Sequence, residues 1–153
     1  MSMSREIKFR GKRIDNGEWV YGSFHYEEVE CEKQYFKDGA NNHTLGIDIR
    51  PVIEVDDDSS GERLSDYVVI PKTVGQFTGL KDKNGKEIYE GDILRYVIID
   101  EGKIELIPCE VYFDMGAFFM KDTRLHGRSD LLSEAEPEDI EVVGNVHECP
   151  NES

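Results

Sequence analysis

The residues best placed to do chemistry sit together in one short stretch. Asp82, Glu87, Glu90 and Asp92 fall within a single turn-bounded segment. Two converging carboxylates there would supply a general acid and a general base. A structural reading competes: Asp82 caps a turn, Asp92 starts a strand, and neither is free for catalysis. That reading is favoured. His147-Glu148-Cys149 offers two metal ligands at alternate positions. Two ligands do not make a zinc site without a second pair, and His25, His43 and His126 are scattered. Cys109 or Cys149 with His147 would make a nucleophile and base, but nothing marks a third, orienting group. Asp56, Asp58, Ser60 and Gly61 resemble the start of a calcium loop. The twelfth position is Tyr67, where a bidentate Glu is needed, so the segment reads as a polar loop. No Gly-x-Ser-x-Gly, P-loop or His-Glu-x-x-His occurs. The expectation is no catalytic residue, no metal and no cofactor.

Charge restricts the partners. The chain has 153 residues and a formal net charge of −15. Such a body repels phosphate, and phosphate neutralisation dominates nucleic-acid affinity, so nucleic acid is an unfavoured partner. The charge is uneven. Residues 5–13 carry Arg5, Lys8, Arg10, Lys12 and Arg13 against Glu6 alone. Acid concentrates in Glu27–Glu32, Glu54–Asp58 and Glu134–Glu141. Two nucleic-acid readings follow as alternatives. The acid could mimic nucleic acid in a basic protein's groove. The basic strand with Trp19 and Tyr21 could grip a single strand, since cations interleaved with aromatics do so. The longest apolar runs, Tyr96–Ile99 among them, are strand-sized, far below the roughly 20 residues of a membrane helix. No signal peptide is recognised and the three cysteines are an odd count, so a cytoplasmic protein with reduced thiols is expected.

The elements that must position these residues read as strands. Period-two alternation dominates, with strands expected near 6–10, 19–26, 68–70, 73–78, 93–99, 104–113, 117–120 and 140–147. Asn16-Gly17 and Asn84-Gly85 are hairpin signals, read as type I′ turns. Residues 27–66 are less legible, with one short strand around Ile47, Ile49 and Val52-Ile53. One short helix is expected near 130–139, with Ser133 and Glu136 as a weak capping box. The fold class is therefore mainly β: antiparallel strands, a small SH3-like barrel in the C-terminal half, and one short helix. A single domain over 5–149 is expected, with an N-terminal β lobe over about 5–72 and a barrel-like lobe over about 73–149. The expected core is Ile7, Phe9, Trp19, Tyr21, Val69, Val74, Phe77, Ile88, Ile93, Leu94, Val111, Phe113, Phe118, Ile140, Val142 and Val146.

Three stretches carry a family likeness. They are Arg5–Lys12 with Trp19–Gly22, the long segment Val74–Ile93, and Val142–Glu148. Together they resemble the YopX family of bacteriophage and prophage proteins over nearly the whole chain. The ending departs slightly, with Cys149-Pro150 where members of the family finish in Asn-Pro. The resemblance implies a mainly β protein with a barrel-like part, carried on mobile phage DNA. It implies no reaction.

The functional expectation is a non-catalytic protein-binding or adaptor module acting on a host or phage protein. The alternatives are a nucleic-acid mimic or binder, and an enzyme using carboxylates near residues 82–92. The candidate interaction surface is Lys8, Arg10, Trp19, Lys81, Asp82, Lys83, Asn84 and Lys86. Aromatic residues and strand edges in the N-terminal half also suggest a homo-oligomer.

Overall fold

The computed structural model describes residues 6–37, 39–57, 63–124 and 128–148. The chain is mainly β, with antiparallel sheets throughout the strand pairs described. It divides into two compact units: Arg10–Val74, and the chain from Gly75 onward together with residues up to Phe9.

In the Arg10–Val74 unit, β1 (Phe9–Lys12), β2 (Trp19–Lys37), β3 (Ala40–Asp57) and β4 (Arg63–Val68) run in the spatial order β4-β3-β2-β1. The β2–β3 hairpin is its dominant element. Its register pairs Ser23 with Glu54 and continues without a break to Lys37 with Ala40. β4 covers only the end of β3, from Val52 opposite Val68 to Asp57 opposite Arg63. Residues 27–37 and 40–50 therefore form a two-stranded ribbon that outruns its neighbours. Val52, Ile53 and Val69 are buried at its base.

The second unit holds β5 (Gly75–Lys81), β6 (Glu87–Tyr89), β7 (Asp92–Asp100), β8 (Lys103–Asp114), β9 (Ala117–Asp122), β10 (Ser129–Leu131) and β11 (Ile140–Asn145). Five of these form one sheet in the order β10-β9-β8-β7-β11. No ladder joining β10 to β11 is found among the described residues. Ile88 on β6 packs with Leu94, Ile107, Cys109, Val111, Met120, Leu132 and Ile140 in one core, with Leu80 of β5 against it. The β5–β6 hairpin thus packs on the inner face of the sheet.

Local chemistry explains where the expectations needed correcting. The segment near 130–139 holds two single 3-10 turns, Leu132–Glu134 and Pro137–Asp139, instead of one α-helix. Pro137 forces Glu136 into extended backbone, so the first turn cannot continue. No side-chain cap bond forms at either turn. Neither Asn-Gly turn is type I′, because Asn16 and Asn84 keep negative φ. At Asn84-Gly85, Asp82 and Lys86 close a wider loop in which Gly85 alone is left-handed, at φ +77°. Among the described residues, the two-residue turns with both central residues at positive φ are Glu101-Gly102 and Met115-Gly116.

Of the expected core, Val69, Phe77, Ile88, Leu94, Val111 and Ile140 are buried. Ile7, Tyr21, Phe113 and Val146 are exposed. Phe113 continues the alternation of Val111 and Cys109, yet lies near the end of β8, past the cover. Alternation selects the face and leaves open how far the covering layer extends.

Candidate functional site

The carboxylates of the 82–92 segment are engaged by the fold. Asp82 is buried. Its Oδ1 accepts the main-chain N–H of Asn84 and of Lys86, each at 2.9 Å. Its Oδ2 accepts the N–H of Val142 at 2.9 Å. Burial opposes ionisation, but the three N–H donors outweigh it and hold the carboxyl below the usual carboxylate range. An acid so held is a poor proton donor, and its oxygens are already occupied. Asp92 is buried as well, and its Oδ2 accepts the Tyr89 N–H at 2.8 Å. Glu87 pairs with Lys8. Glu90 Oε1 receives the Gln76 N–H at 3.4 Å. Each of the four carboxylates thus has a structural partner, and Tyr89 serves two of them, its N–H on Asp92 and its hydroxyl on Glu87 at 3.3 Å.

Glycine at position 75 completes this local design. A Cβ there would stand 2.5 Å from the Glu90 carbonyl oxygen. Only glycine lets β5 start so close to the turn before β7.

The proposed surface residues separate into small groups. Lys83 Nζ lies 3.4 Å from Glu141 Oε2, and Asn84 Nδ2 donates to Glu141 Oε1 at 3.5 Å. Arg95 also pairs with Glu141. The Arg95 guanidinium, with Lys83 beside it, keeps the Glu141 carboxyl below its usual range. Lys81 and Lys86 are exposed on the same hairpin. Lys8 Nζ reaches Glu87 at 2.6 Å and Glu6 at 3.3 Å, and lies 5.1 Å from the centre of the Phe77 ring. Burial pulls its pKa down, but the two carboxylates more than compensate and raise it. Arg10 is buried, with its guanidinium 4.6 Å from the centre of the Trp19 ring, and Lys12 Nζ lies 5.4 Å from the same ring. Arg13 chelates Asp15 and stands 4.3 Å from the Tyr67 ring. The basic strand thus spends its cations on neighbouring rings and carboxylates.

A cleft of about 450 Å³ opens in the second unit between Gln76, Thr78, Leu80, Phe118, Leu132 and Ser133. No titratable side chain lines it. The Thr78 hydroxyl donates to the Ile88 carbonyl at 2.8 Å. Among the described residues, no group of three His, Cys, Asp or Glu side chains is placed to hold a metal ion. Cys149, the second ligand of the His147 pair, lies outside the described residues. Among the described residues no helix is long and apolar enough to cross a membrane.

The sequence missed a different surface. On one face of the β2–β3 ribbon, Leu45, Ile47 and Ile49 stand in a row, exposed by 81%, 59% and 64%. Directly opposed residues share a face, so this row lies beside Glu32, Glu30 and Glu28 of β2. Tyr26, 64% exposed, continues the face. The alternation of Leu45, Ile47 and Ile49 was the available signal. Alternation reports that residues share a face and not whether that face is covered.

These observations define a mainly β protein with a tightly braced hairpin motif. The YopX protein family model matches residues 8–152, and the chain belongs to that family. A solved structure, that of protein EF1440 from Enterococcus faecalis, is similar at 23% identity and a TM-score of 0.45, covering 97% of this chain and 98% of that one. No curated protein sequence matches.

Proposed function

We propose that the protein is a non-catalytic protein-binding or adaptor module, phage- or prophage-derived and working in the cytoplasm on a host or phage protein. The exposed apolar row Leu45, Ile47 and Ile49 carries the reading. A contiguous apolar stripe on a soluble fold marks an interaction surface more often than scattered exposed side chains do. The structural use of Asp82, Glu87, Glu90 and Asp92 supports the non-catalytic part. Five antiparallel strands with a hairpin packed on them support an SH3-like scaffold, an architecture that names no partner by itself. Nucleic-acid binding through residues 8–13 has less support, because Lys8, Arg10, Lys12 and Arg13 are occupied as described. Self-association into a homo-oligomer is a separate reading that does not rest on this row, and light scattering across dilution tests it: one 17.5 kDa species throughout would remove it.

The test of the binding reading is affinity capture from bacterial host lysate. The expected result is a protein retained saturably by the wild type, displaced by free protein, and lost with an Ile47→Ser, Ile49→Ser double variant. Absence of any saturable protein partner would overturn the reading.

A further inference from the structure

The ribbon face states the chemistry of its occupant. Two rows run side by side, about 5 Å apart. One is apolar: Leu45, Ile47 and Ile49. The other is acidic: Glu32, Glu30 and Glu28. Successive carboxylates in that row are about 7 Å apart, within a Debye length, so they repel one another. Glu32 faces His43, whose Nδ1 lies 3.0 Å away. Glu28 and Glu30 have no ion-pair partner among the described residues. Arg50 pairs with Glu27 at 3.4 Å, and the register puts that pair on the reverse face.

An occupant must cover apolar side chains and bring positive charge to the adjoining row. This excludes nucleic acid and an anionic membrane surface, which would meet the carboxylates with phosphate. A second copy is disfavoured by its own −15 charge and by a basic strand already engaged. The occupant's backbone narrows the choice further. A strand laid flat on the face would leave its N–H and C=O groups unpaired. A strand added at the edge of β2 would meet the acidic row and leave the apolar row open. A helix satisfies its own backbone and is wide enough, at about 10 Å, to touch both rows at once.

We infer that the face formed by Tyr26, Leu45, Ile47 and Ile49 with Glu28 and Glu30 docks a basic amphipathic helix of the partner protein. Apolar residues at helical spacing lie over β3, and lysine or arginine on one flank lies over β2. The face, about 13 Å from Glu28 to Glu32, takes roughly nine helical residues. The inference rests on the protein-binding reading above and adds the partner's chemistry to it.

The probe is a synthetic leucine–lysine peptide with leucines along one helical stripe and lysines along its flank. Titration should give saturable binding that weakens with salt. A Glu28→Gln, Glu30→Gln double variant should bind about three- to tenfold more weakly, with a shallower salt dependence. Ile47→Ser should also weaken binding. A Glu134→Gln, Glu138→Gln control, which removes the same charge elsewhere, should bind like the wild type. The peptide should displace the partner captured from lysate. Equal binding of a scrambled peptide of the same composition overturns the inference. So does equal weakening by the control variant, or the absence of saturable binding. A lysate partner retained undiminished by the Glu28→Gln, Glu30→Gln variant removes the inference and leaves the protein-binding reading intact. Absence of any lysate partner removes that reading itself.

Discussion

The carboxylate of Asp82 receives the main-chain N–H of Val142 at 2.9 Å, across 60 residues of chain. The Lys83 N–H returns the tie to the Ile140 carbonyl at 3.0 Å. The most chemically suggestive segment of the sequence thus uses its acid to fasten the β5–β6 hairpin to the last strand. Asp82→Asn keeps one acceptor oxygen but turns an amide toward one of the three donors. It should destabilise the fold by about 2 kcal/mol, and Asp82→Ala by about 3–4 kcal/mol. Urea unfolding measures both. A loss below about 0.5 kcal/mol in the alanine variant would show that the tie is not structural.

The same carboxylate sets a pH dependence. Its folded pKa lies below the unfolded value, so the unfolded chain binds more protons between the two. Its contribution is fully present above the unfolded pKa, near pH 4, and is lost as pH falls through the lower, folded value. Wild-type stability should therefore decline with acidification below about pH 4 more steeply than that of Asp82→Asn. Parallel curves from denaturant midpoints in acid would remove Asp82 as the cause.

Much of the fold was legible because it depends on alternation and turns. The strands of β7, β8, β9 and β11 follow from Ile93–Ile99, Ile104–Phe113, Ala117–Met120 and Ile140–Val146, each bounded by a turn. Ribbon β2–β3 was not legible beyond Tyr26. Glu27, Glu28, Glu30 and Glu32 interrupt the apolar pattern, and the pairing that makes them a strand comes from residues as distant as Arg50. The candidate surface was legible only in part. Lys83 and Asn84 share Glu141, a partner 57 residues beyond Asn84, which no local spacing reveals. Asp82 was readable as a turn residue from the Asn-Gly that follows, but its burial against β11 was not.

Two phenylalanines separate the buried face from its uncovered end. Phe77 is 4% exposed and its ring lies 5.5 Å from that of Tyr89. Phe113 is 49% exposed and touches Phe118 at the cleft. Phe77→Ala should cost about 3–5 kcal/mol. Phe113→Ala should cost about 1 kcal/mol, since little apolar area leaves a covered site. Equal losses in thermal or urea unfolding would contradict this division.

Cys109 offers a probe of opening in the second unit. Its side chain is buried among Leu94, Val111 and Met120. Burial pushes its thiol up to about 11, with Asp122 adding to the shift. At pH 8 the native thiol should be almost entirely protonated and shielded from alkylating reagents. A Cys31→Ser, Cys149→Ser variant leaves Cys109 as the single reporter. Its labelling rate should follow the fraction unfolded across a urea series. Rapid labelling in the absence of denaturant would mean that this core opens locally.

The turn at Met115-Gly116 is one place where the sequence fits its backbone poorly. Asp114 pairs with Ala117 across a two-residue loop, and Met115 sits at φ +46°. The side chain is 86% exposed, so no packing offsets that conformation. Left-handed backbone costs an ordinary L-residue roughly 1–2 kcal/mol, and asparagine tolerates it far better. Asparagine followed by glycine is the preferred pair for a turn with both central residues at positive φ. Met115→Asn should therefore stabilise the second unit by about 0.5–1 kcal/mol without altering the sheet. Glu101→Asn, at φ +47° in the matching turn between β7 and β8, should act in the same direction. The gains should add, because the two turns share no partner in the hairpin registers. Denaturant midpoints of the two single variants and the double variant measure this. A loss of stability in Met115→Asn would mean that the turn does not hold its type I′ geometry in solution.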